Sequence, residues 1–561
     1  MTCIAKHSKE LIIMKRDCSA LSNQSFDLLI VGAGIYGVTL AADAVHRGYK
    51  VALIDKGDFC NATSANSLKI IHGGLRYLQH ADFARMRESI IERRNLLYSA
   101  PHLIRPLPCV MPTYGHGIKG PEVMRIALLM NDLFSLDRNR RLPEPQRLPN
   151  GSIISRREFL DIMPFIHQEN LNGGAVWYDA HMLNSERLLF SFLHSAVEGG
   201  AVAANYIKAE SLLQQNGRVL GVQARDMMND QRFDIRANWT ISTMGAWINE
   251  VLGQVQTPRI AFSTAMNLII NRPFSPDYAF AAPTQKRFKD ADALINKGSR
   301  LLFFVPWRGK TLAGTAHRPY DGNPDEYRVT EAEVAEFLND VNSALPGADI
   351  RRDEVCHVLA GLLPMSAMNH DTGDVQLTKH YKLIDHQKTN QLKGLISLLS
   401  VKYTTARGVA EAVLNYLKPG SPRSAVRKIW GGEMESLEIF SQLREQESDH
   451  ELSAETRQHL FCTYGTRYRQ VLESVPQKDR FVKIASDSYI LKAEIVFAVR
   501  EEMAQKLTDV LMRRTELGSA CLASAEQIES VAELMASELK WSEDRKYREI
   551  DDYKQLYNVK P

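Results

Sequence analysis

The sequence predicts an α/β chain: a parallel, crossover-connected sheet near the N-terminus, a second and more antiparallel sheet interleaved with it, and a helical C-terminal domain. Three observations carry this prediction. Phe26–Val31 is apolar once Asp27 is passed, glycines follow, and a helical pattern over Tyr36–Arg47 leads into an apolar Val51–Ile54. Strand-like runs recur at Leu301–Val305, Thr311–Gly314 and Leu395–Leu399, with polar turns between them. Beyond the breaker cluster Lys418-Pro419-Gly420-Ser421-Pro422 the apolar spacing becomes almost wholly helical.

In chain order, the first 25 residues place Lys6, Lys9, Lys15 and Arg16 around a short apolar Leu11-Ile12-Ile13-Met14. That core is too short for a secretion signal, so residues 1–25 are expected to be a flexible extension. Next comes strand, tight turn, helix, strand: a crossover unit that requires a parallel sheet. The runs from Leu301 to Leu399 are expected to build the second sheet. In the tail, Ile490, Ala493, Val496, Phe497, Leu507 and Leu511 recur at helical spacing over Tyr489–Leu517, with Glu501, Lys506 and Arg513 on other faces.

At 561 residues the chain is long enough for two or three packed units. Its 69 basic and 66 acidic residues leave a net charge of +3, too near balance for a protein that wraps nucleic acid through its overall field. The seven cysteines are scattered and odd in number, with no C-x-x-C pair, which suggests neither a disulfide framework nor a metal site and fits a reducing compartment. No apolar run reaches the roughly 18 residues a bilayer span needs. The longest, Phe26–Ala42, contains Asp27 and three glycines.

Those glycines form the G-x-G-x-x-G string Gly32-Ala33-Gly34-Ile35-Tyr36-Gly37, and Asp55, followed by Lys56, stands 18 residues after the last of them. Gly32 permits a tight turn, Gly34 lets backbone approach a pyrophosphate, and Gly37 lets the helix lie close on the strand. The helix N-terminus favours the phosphate charge, and Asp55 is placed to accept from ribose hydroxyls. The domain is therefore Rossmann-type. This fingerprint alone does not separate FAD from NAD.

The segment Ala62–Leu78, with Thr63, Ser64, Ser67, Lys69, His72, Gly73, Gly74, Arg76 and Tyr77, follows the second strand. It resembles the flavin-contacting loop of the FAD-dependent glycerol-3-phosphate dehydrogenases, members of the D-amino-acid-oxidase-like flavoprotein superfamily. The resemblance runs over about residues 26–520. Met244-Gly245-Ala246-Trp247 is similar to the family's T-G-P-W turn, and Phe304-Val305-Pro306-Trp307 with Gly314-Thr315 to its substrate-domain strands. Ser400-Val401-Lys402-Tyr403-Thr404-Thr405-Ala406-Arg407 is similar to its G-G-K-L-T-T-Y-R segment under the flavin, and Asp509–Thr515 to its C-terminal helical domain. Thr404 and Thr405 also open a helix whose N-terminus suits the negative charge of a reduced flavin. The resemblance implies FAD as cofactor, held by these segments. It further implies an FAD domain over about 26–110, 170–260 and 355–420, a substrate domain over about 111–169 and 261–354, and a helical domain over 426–561.

In such enzymes a 2-hydroxy phosphoester gives hydride from C2 to flavin N5 and leaves as dihydroxyacetone phosphate. Arg76, Tyr77 and Lys402 match family substrate residues, and Lys379 takes the place of a family arginine. A phosphate dianion needs such charge-assisted partners, although lysine lacks the two-pronged fork. Three positions depart: the G-x-R-P turn reads Gly361-Leu362-Leu363-Pro364, G-T-T-D reads Gly314-Thr315-Ala316-His317, and a histidine near the phosphate aligns with Asn267. His72, His317 and His380 are the candidates for the base, with His72 nearest the flavin and His317 the distinctive one. The reading thus stays open between this activity, an oxidase or dehydrogenase for another hydroxy or amino compound, and a flavoprotein without catalysis.

The family also implies quinone as electron acceptor, with oxygen used by some relatives. Val123–Met130, followed by Leu133, Phe134, Arg138, Arg140 and Arg141, suits either an interface-lying helix on anionic lipid or a buried helix with a solvated basic end. The expected location is the cytoplasm, including the inner face of the cell membrane. A homodimer is left open.

Overall fold

The computed structural model describes residues 14–287, 299–369, 374–420, 424–445 and 452–560. The strand Ser25–Val31 sits inside an eight-stranded sheet, parallel to Val51–Ile54 on one side and to Arg232–Ser242 on the other. The expected helix runs Ile35–His46 and packs between the helices Ser185–Glu198 and Ala406–Leu417. One buried face is thereby covered by helices, as a parallel sheet requires.

A second, ten-stranded sheet carries Val355–Met368, Phe262–Ile270, Lys310–Tyr320 and Ser299–Trp307 side by side and antiparallel, then Ala279–Arg287, Ile104–Tyr114 and Leu171–Met182. The expected strands at 301–305 and 311–314 fall here. The third, Leu395–Leu399, belongs to the first sheet, parallel to Arg232–Ser242. All five of its residues are buried, so it has no alternation that could assign it to either sheet. The stretches 171–182 and 355–368, read into the first domain, pair in the second sheet.

The tail is helical, but the segment read as one pattern from Tyr489 is interrupted. A helix over Lys492–Glu501 stops, and Leu507–Asp509 resumes into a wide turn over Val510–Arg514. Buried charge explains the break. Glu502 turns inward to accept from Arg187 (2.8 Å) and meets His194 Nε2 at 2.9 Å. Arg513 Nε (2.6 Å) and Arg514 Nη2 (2.8 Å) donate to Asp58, just after the first crossover. Burial pushes the Asp58 carboxyl upward, but these two guanidinium groups outweigh it and hold it below its ordinary range.

Two expectations change. Residues 14–25 of the N-terminal stretch are docked: Met14 and Leu21 are buried, and Arg16 Nη1 donates to Asp226 at 3.0 Å. Residues 1–13 lie outside the described residues. Cys356 and Cys521, 165 residues apart, form a disulfide between the second sheet and the helical domain, where spacing gave no hint of a pair. No helix among the described residues is long and apolar enough to cross a membrane.

Candidate active site

Where the two sheets meet, a cavity of about 1320 Å³ runs from the glycine turn across the 61–68 and 74–81 segments to the second sheet. It exceeds the roughly 300–1,000 Å³ of ordinary small-molecule pockets. At one end the glycines are used as the spacing predicts. A Cβ on Gly32 (φ +107°) would lie 2.6 Å from Thr243 O, and one on Gly37 would lie 1.9 Å from Gly32 O. Gly34 caps the helix without a side chain, and the Ile35 N–H donates to Ser64 Oγ (3.0 Å). Gly245 (φ +55°) closes the turn opposite, and a Cβ there would meet nothing within 4 Å.

Asp55 lines this end, with both carboxylate oxygens already engaged. Oδ2 accepts from the Ala33 N–H (2.7 Å) and Oδ1 from the Gly57 N–H (2.9 Å), which ties the glycine turn to the second strand. Burial lifts its pKa to about 6 against those two bonds. Lys56 pairs with Asp325 (2.8 Å) and lies over the Trp247 ring at 4.4 Å, so a loop from the second sheet straps this end. The open cradle, the glycine surfaces and the helix N-terminus fit the dinucleotide part of FAD.

The next segment divides. Thr63 Oγ1 donates to Leu362 O (3.0 Å), fastening the loop to the second sheet, and Ser64 and Ser67 line the cavity. Ser67 Oγ is buried without a partner among the described residues. Lys69 and Gly73 do not face the cavity as expected. Lys69 is fully buried and gives its ammonium to Glu186 (2.8 Å), Ser185 Oγ (2.6 Å) and Ala65 O (2.7 Å). Gly73 gives its N–H to Asp179 (2.6 Å), and a Cβ there would collide with the Arg93 guanidinium. Their place in a contiguous motif gave no sign of which way each points.

Across the cavity, Lys402 precedes the short turn Tyr403–Thr405 and the helix from Ala406. The Tyr36 hydroxyl donates to Lys402 O and accepts from Ser400 Oγ (2.6 Å), so the glycine motif itself positions this strand end. Lys402 Nζ is buried, has no hydrogen-bond partner among the described residues, and lies 4.1 Å from the Tyr77 ring centre. Burial, then the nearby Arg85 charge, lower its pKa to about 8. Tyr403 lines the cavity while its hydroxyl donates to Ser185 O (2.7 Å); Thr404 and Gly74 line it too.

Arg76, Tyr77, Lys379 and His317 all border the same space, as do Leu363 and Asn267. His317 Nδ1 faces Thr264 O at 3.1 Å, and since a carbonyl cannot donate, Nδ1 carries the proton and Nε2 is left as a lone pair. Burial, then Arg300, hold its pKa down at about 4, so it is neutral at working pH. Asn267 ties the second sheet to the 61–68 segment, donating to Asn66 O (3.1 Å) and accepting from Thr315 (2.8 Å) on the neighbouring strand. His380 is exposed and outside the lining. Sequence reasoning missed Arg85 and Arg300, two further cations on the cavity wall; Arg300 stands immediately before the apolar run at 301–305, a signal that was available.

It also missed Asp179. His72 lines the cavity with its ring edge toward Phe303 (5.5 Å), and its Nδ1 meets Asp179 Oδ2 at 3.2 Å. Burial works to raise the Asp179 pKa, but the His72 bond and charge, with Arg93, hold it at about 2. No motif brings a residue 107 positions away to this ring.

The helix Pro121–Phe134 forms the far wall, with Met124 and Leu128 buried and Ile126, Leu129 and Leu133 exposed at 59%, 64% and 65%. Leu136 (77%) and Ile118 (50%) extend that outer patch. Arg140 and Arg141 are exposed beside it, whereas Arg138 is buried and donates to Leu148 O (3.1 Å). Val123, Ile126, Ala127 and Met130 border the cavity, so one apolar helix joins it to the surface.

Comparison with known proteins agrees with this architecture. Residues 27–387 match the model of the DAO family, FAD dependent oxidoreductase, and residues 423–546 match the C-terminal domain of alpha-glycerophosphate oxidase. A glycerol-3-phosphate dehydrogenase of Synechocystis is 29% identical over 96% of this chain and 97% of its own. The mitochondrial glycerol-3-phosphate dehydrogenase of Homo sapiens is 30% identical over 95% of this chain and 73% of its own. The crystal structure of the Bacillus halodurans glycerol-3-phosphate dehydrogenase complexed with FAD superposes with a TM-score of 0.74 at 23% identity, covering 96% of this chain and 95% of that one, which shows a shared fold.

Proposed function

The chain belongs to the FAD-dependent oxidoreductase family, and from that premise we propose that it oxidises sn-glycerol 3-phosphate to dihydroxyacetone phosphate and passes the electrons to a membrane quinone. The observation that carries the substrate reading is the cluster of cations on one part of the cavity wall. Arg76, Arg85, Arg300, Lys379 and Lys402 border it, and among the described residues neither Arg76 nor Lys402 has a carboxylate within ion-pair distance. Such a wall suits a phosphate dianion. Lys402, Arg76, Tyr77 and Lys379 bind the substrate in this reading; His72 takes the hydroxyl proton, and His317, with its Nε2 lone pair, accepts a hydrogen bond from the substrate. Gly32, Gly34, Ser64, Gly74, Gly245 and Thr404 hold the cofactor, and Gly37 lets the helix behind them lie close against Gly32. FAD, when bound, supplies the hydride acceptor.

Quinone is favoured by the helix Pro121–Phe134, whose inner side borders the cavity while its outer side presents Leu129 and Leu133 beside Arg140 and Arg141. This is the arrangement of a helix seated at an anionic lipid interface. Turnover with glycerol 3-phosphate is expected to yield dihydroxyacetone phosphate in step with reduction of quinone in vesicles. Stoichiometric hydrogen peroxide with no quinone reduction would move the protein to the oxidases.

Leu363 favours a second reading. An aliphatic side chain stands where the resemblance leads to a guanidinium, which suits another small hydroxy or amino substrate. Leu363→Arg separates the two: a gain of about tenfold or more in kcat/KM for glycerol 3-phosphate, from one oxyanion donor restored, supports a site diverged from that substrate. Loss of activity supports the first reading.

A further inference from the structure

We propose that Asp179 is a positioning residue for the oxidation, one that fixes His72 in the single tautomer able to take the substrate's hydroxyl proton. The inference rests on the hydroxy-compound reading above. It starts from the way the four contacts of this buried carboxylate are divided between its two oxygens. Oδ1 accepts from the Gly73 N–H (2.6 Å) and from Arg93 Nη1 (2.8 Å). Oδ2 accepts from Trp177 Nε1 (3.3 Å) and faces His72 Nδ1 (3.2 Å). An ionised carboxylate has no proton to give, so Nδ1 must carry it, and Nε2 is the lone pair.

Arg93 sets the direction of the proton. Its Nη1 also donates to Tyr178 O (2.6 Å), and the whole side chain is buried, so its charge stays on Asp179. Asp179 meets the imidazole and is backed by Arg93, whose own charged and titratable neighbours include the Cys109 thiol and Arg138, and the Phe303 ring stands 5.5 Å from the His72 ring. In the reaction the substrate's O–H bond breaks toward His72 Nε2, its C–H pair leaves as hydride to FAD, and the carbonyl forms. The imidazolium left behind is balanced by Asp179, which keeps its negative charge throughout.

The division of contacts makes Asp179→Asn a sharp test. Gly73 N–H (2.6 Å) and Arg93 (2.8 Å) both donate to one oxygen, whereas Trp177 Nε1 alone donates to the other, at a longer 3.3 Å, so the carboxamide turns its oxygen to the pair and its NH2 toward His72, giving up the Trp177 bond. That forces Nδ1 to accept and puts the proton on Nε2, where it blocks the base. FAD content and the binding of inorganic phosphate, read from the flavin spectrum, are expected to match the native holoenzyme. Anaerobic flavin reduction is expected to slow by about 10²- to 10⁴-fold, the range for a lost general base. Nitrogen NMR of the labelled native holoenzyme is expected to show protonated Nδ1 and bare Nε2 on His72, reversed in D179N. A native signal already protonated at Nε2 overturns the proposal, as does D179N reducing its flavin at the native rate. The native NMR needs neither a variant nor a substrate, so it decides the point if D179N does not fold. Failure of glycerol 3-phosphate to reduce the native flavin would instead count against the function proposed above.

Discussion

Lys402 concentrates the chemistry of the site in one side chain, because its ammonium is buried beside Tyr77 with no carboxylate in contact among the described residues. A lysine ordinarily loses its proton near 10.5, and burial with Arg85 brings this one to about 8. It is therefore cationic below pH 8 and neutral above. Affinity for a phosphoester analogue is expected to fall as pH rises through about 8, by one proton's slope. Lys402→Arg should abolish that limb, since guanidinium keeps its charge; a limb that persists unchanged in K402R assigns it to another group. At the cofactor end, a Cβ on Gly34 would come within 3.1 Å of Ser64 Oγ, already close, and valine adds branches on the cradle side. Gly34→Val is expected to yield folded protein without the flavin absorption band. Native flavin content in that variant would remove the pyrophosphate from this turn. These residues were legible because a glycine motif and a lysine-threonine segment are local signals. Asp179 was not, since it reaches His72 only through strand pairing, and Arg300, one cation among 69, was marked only by its place before the apolar run at 301–305.

Among elements, the helix Pro121–Phe134 was left between two readings because an amphipathic pattern does not say what meets the apolar side. The structure shows that the helix has apolar groups on both sides: Met124 and Leu128 inward, Leu129 and Leu133 outward. Charges at Leu129 and Leu133 should leave the inner packing intact. The double variant L129E/L133E is expected to lose binding to anionic vesicles and to reduce membrane quinone slowly, while dye-linked turnover stays within about twofold of native, as surface substitutions usually permit. Equal loss of both activities would place these leucines in folding. The interrupted helix at Glu502–Lys506 teaches the complementary lesson. Apolar spacing carried the pattern through, but a carboxylate paired inside the protein overrode it.

For the molecule as a whole, the helical domain is fastened to the flavin domain by buried charge, chiefly Asp58 with Arg513 and Arg514 and Glu502 with Arg187. Removing one partner of such a group strands the others, at about 3–5 kcal/mol. Asp58→Ala is thus expected to lower the melting temperature clearly, whereas an unchanged melting curve would mean that the Asp58 cluster adds nothing to the hold of the other contacts, Glu502 with Arg187 and the Cys356–Cys521 disulfide among them. The class, the first crossover and the helical tail could be read from period and glycine placement, which are local. The alternation of the chain between sheets, with Leu395–Leu399 in the first and Val355–Met368 in the second, is set by pairing across long separations that no window contains. The proposed activity requires the cavity to bring FAD against a phosphorylated hydroxy compound, and the most direct measurement is anaerobic titration of the holoenzyme with glycerol 3-phosphate, followed at the flavin band. Bleaching complete at about one equivalent of product formed per flavin is the result expected from a two-electron hydride transfer. A flavin that stays oxidised under glycerol 3-phosphate, yet bleaches with dithionite, would contradict it.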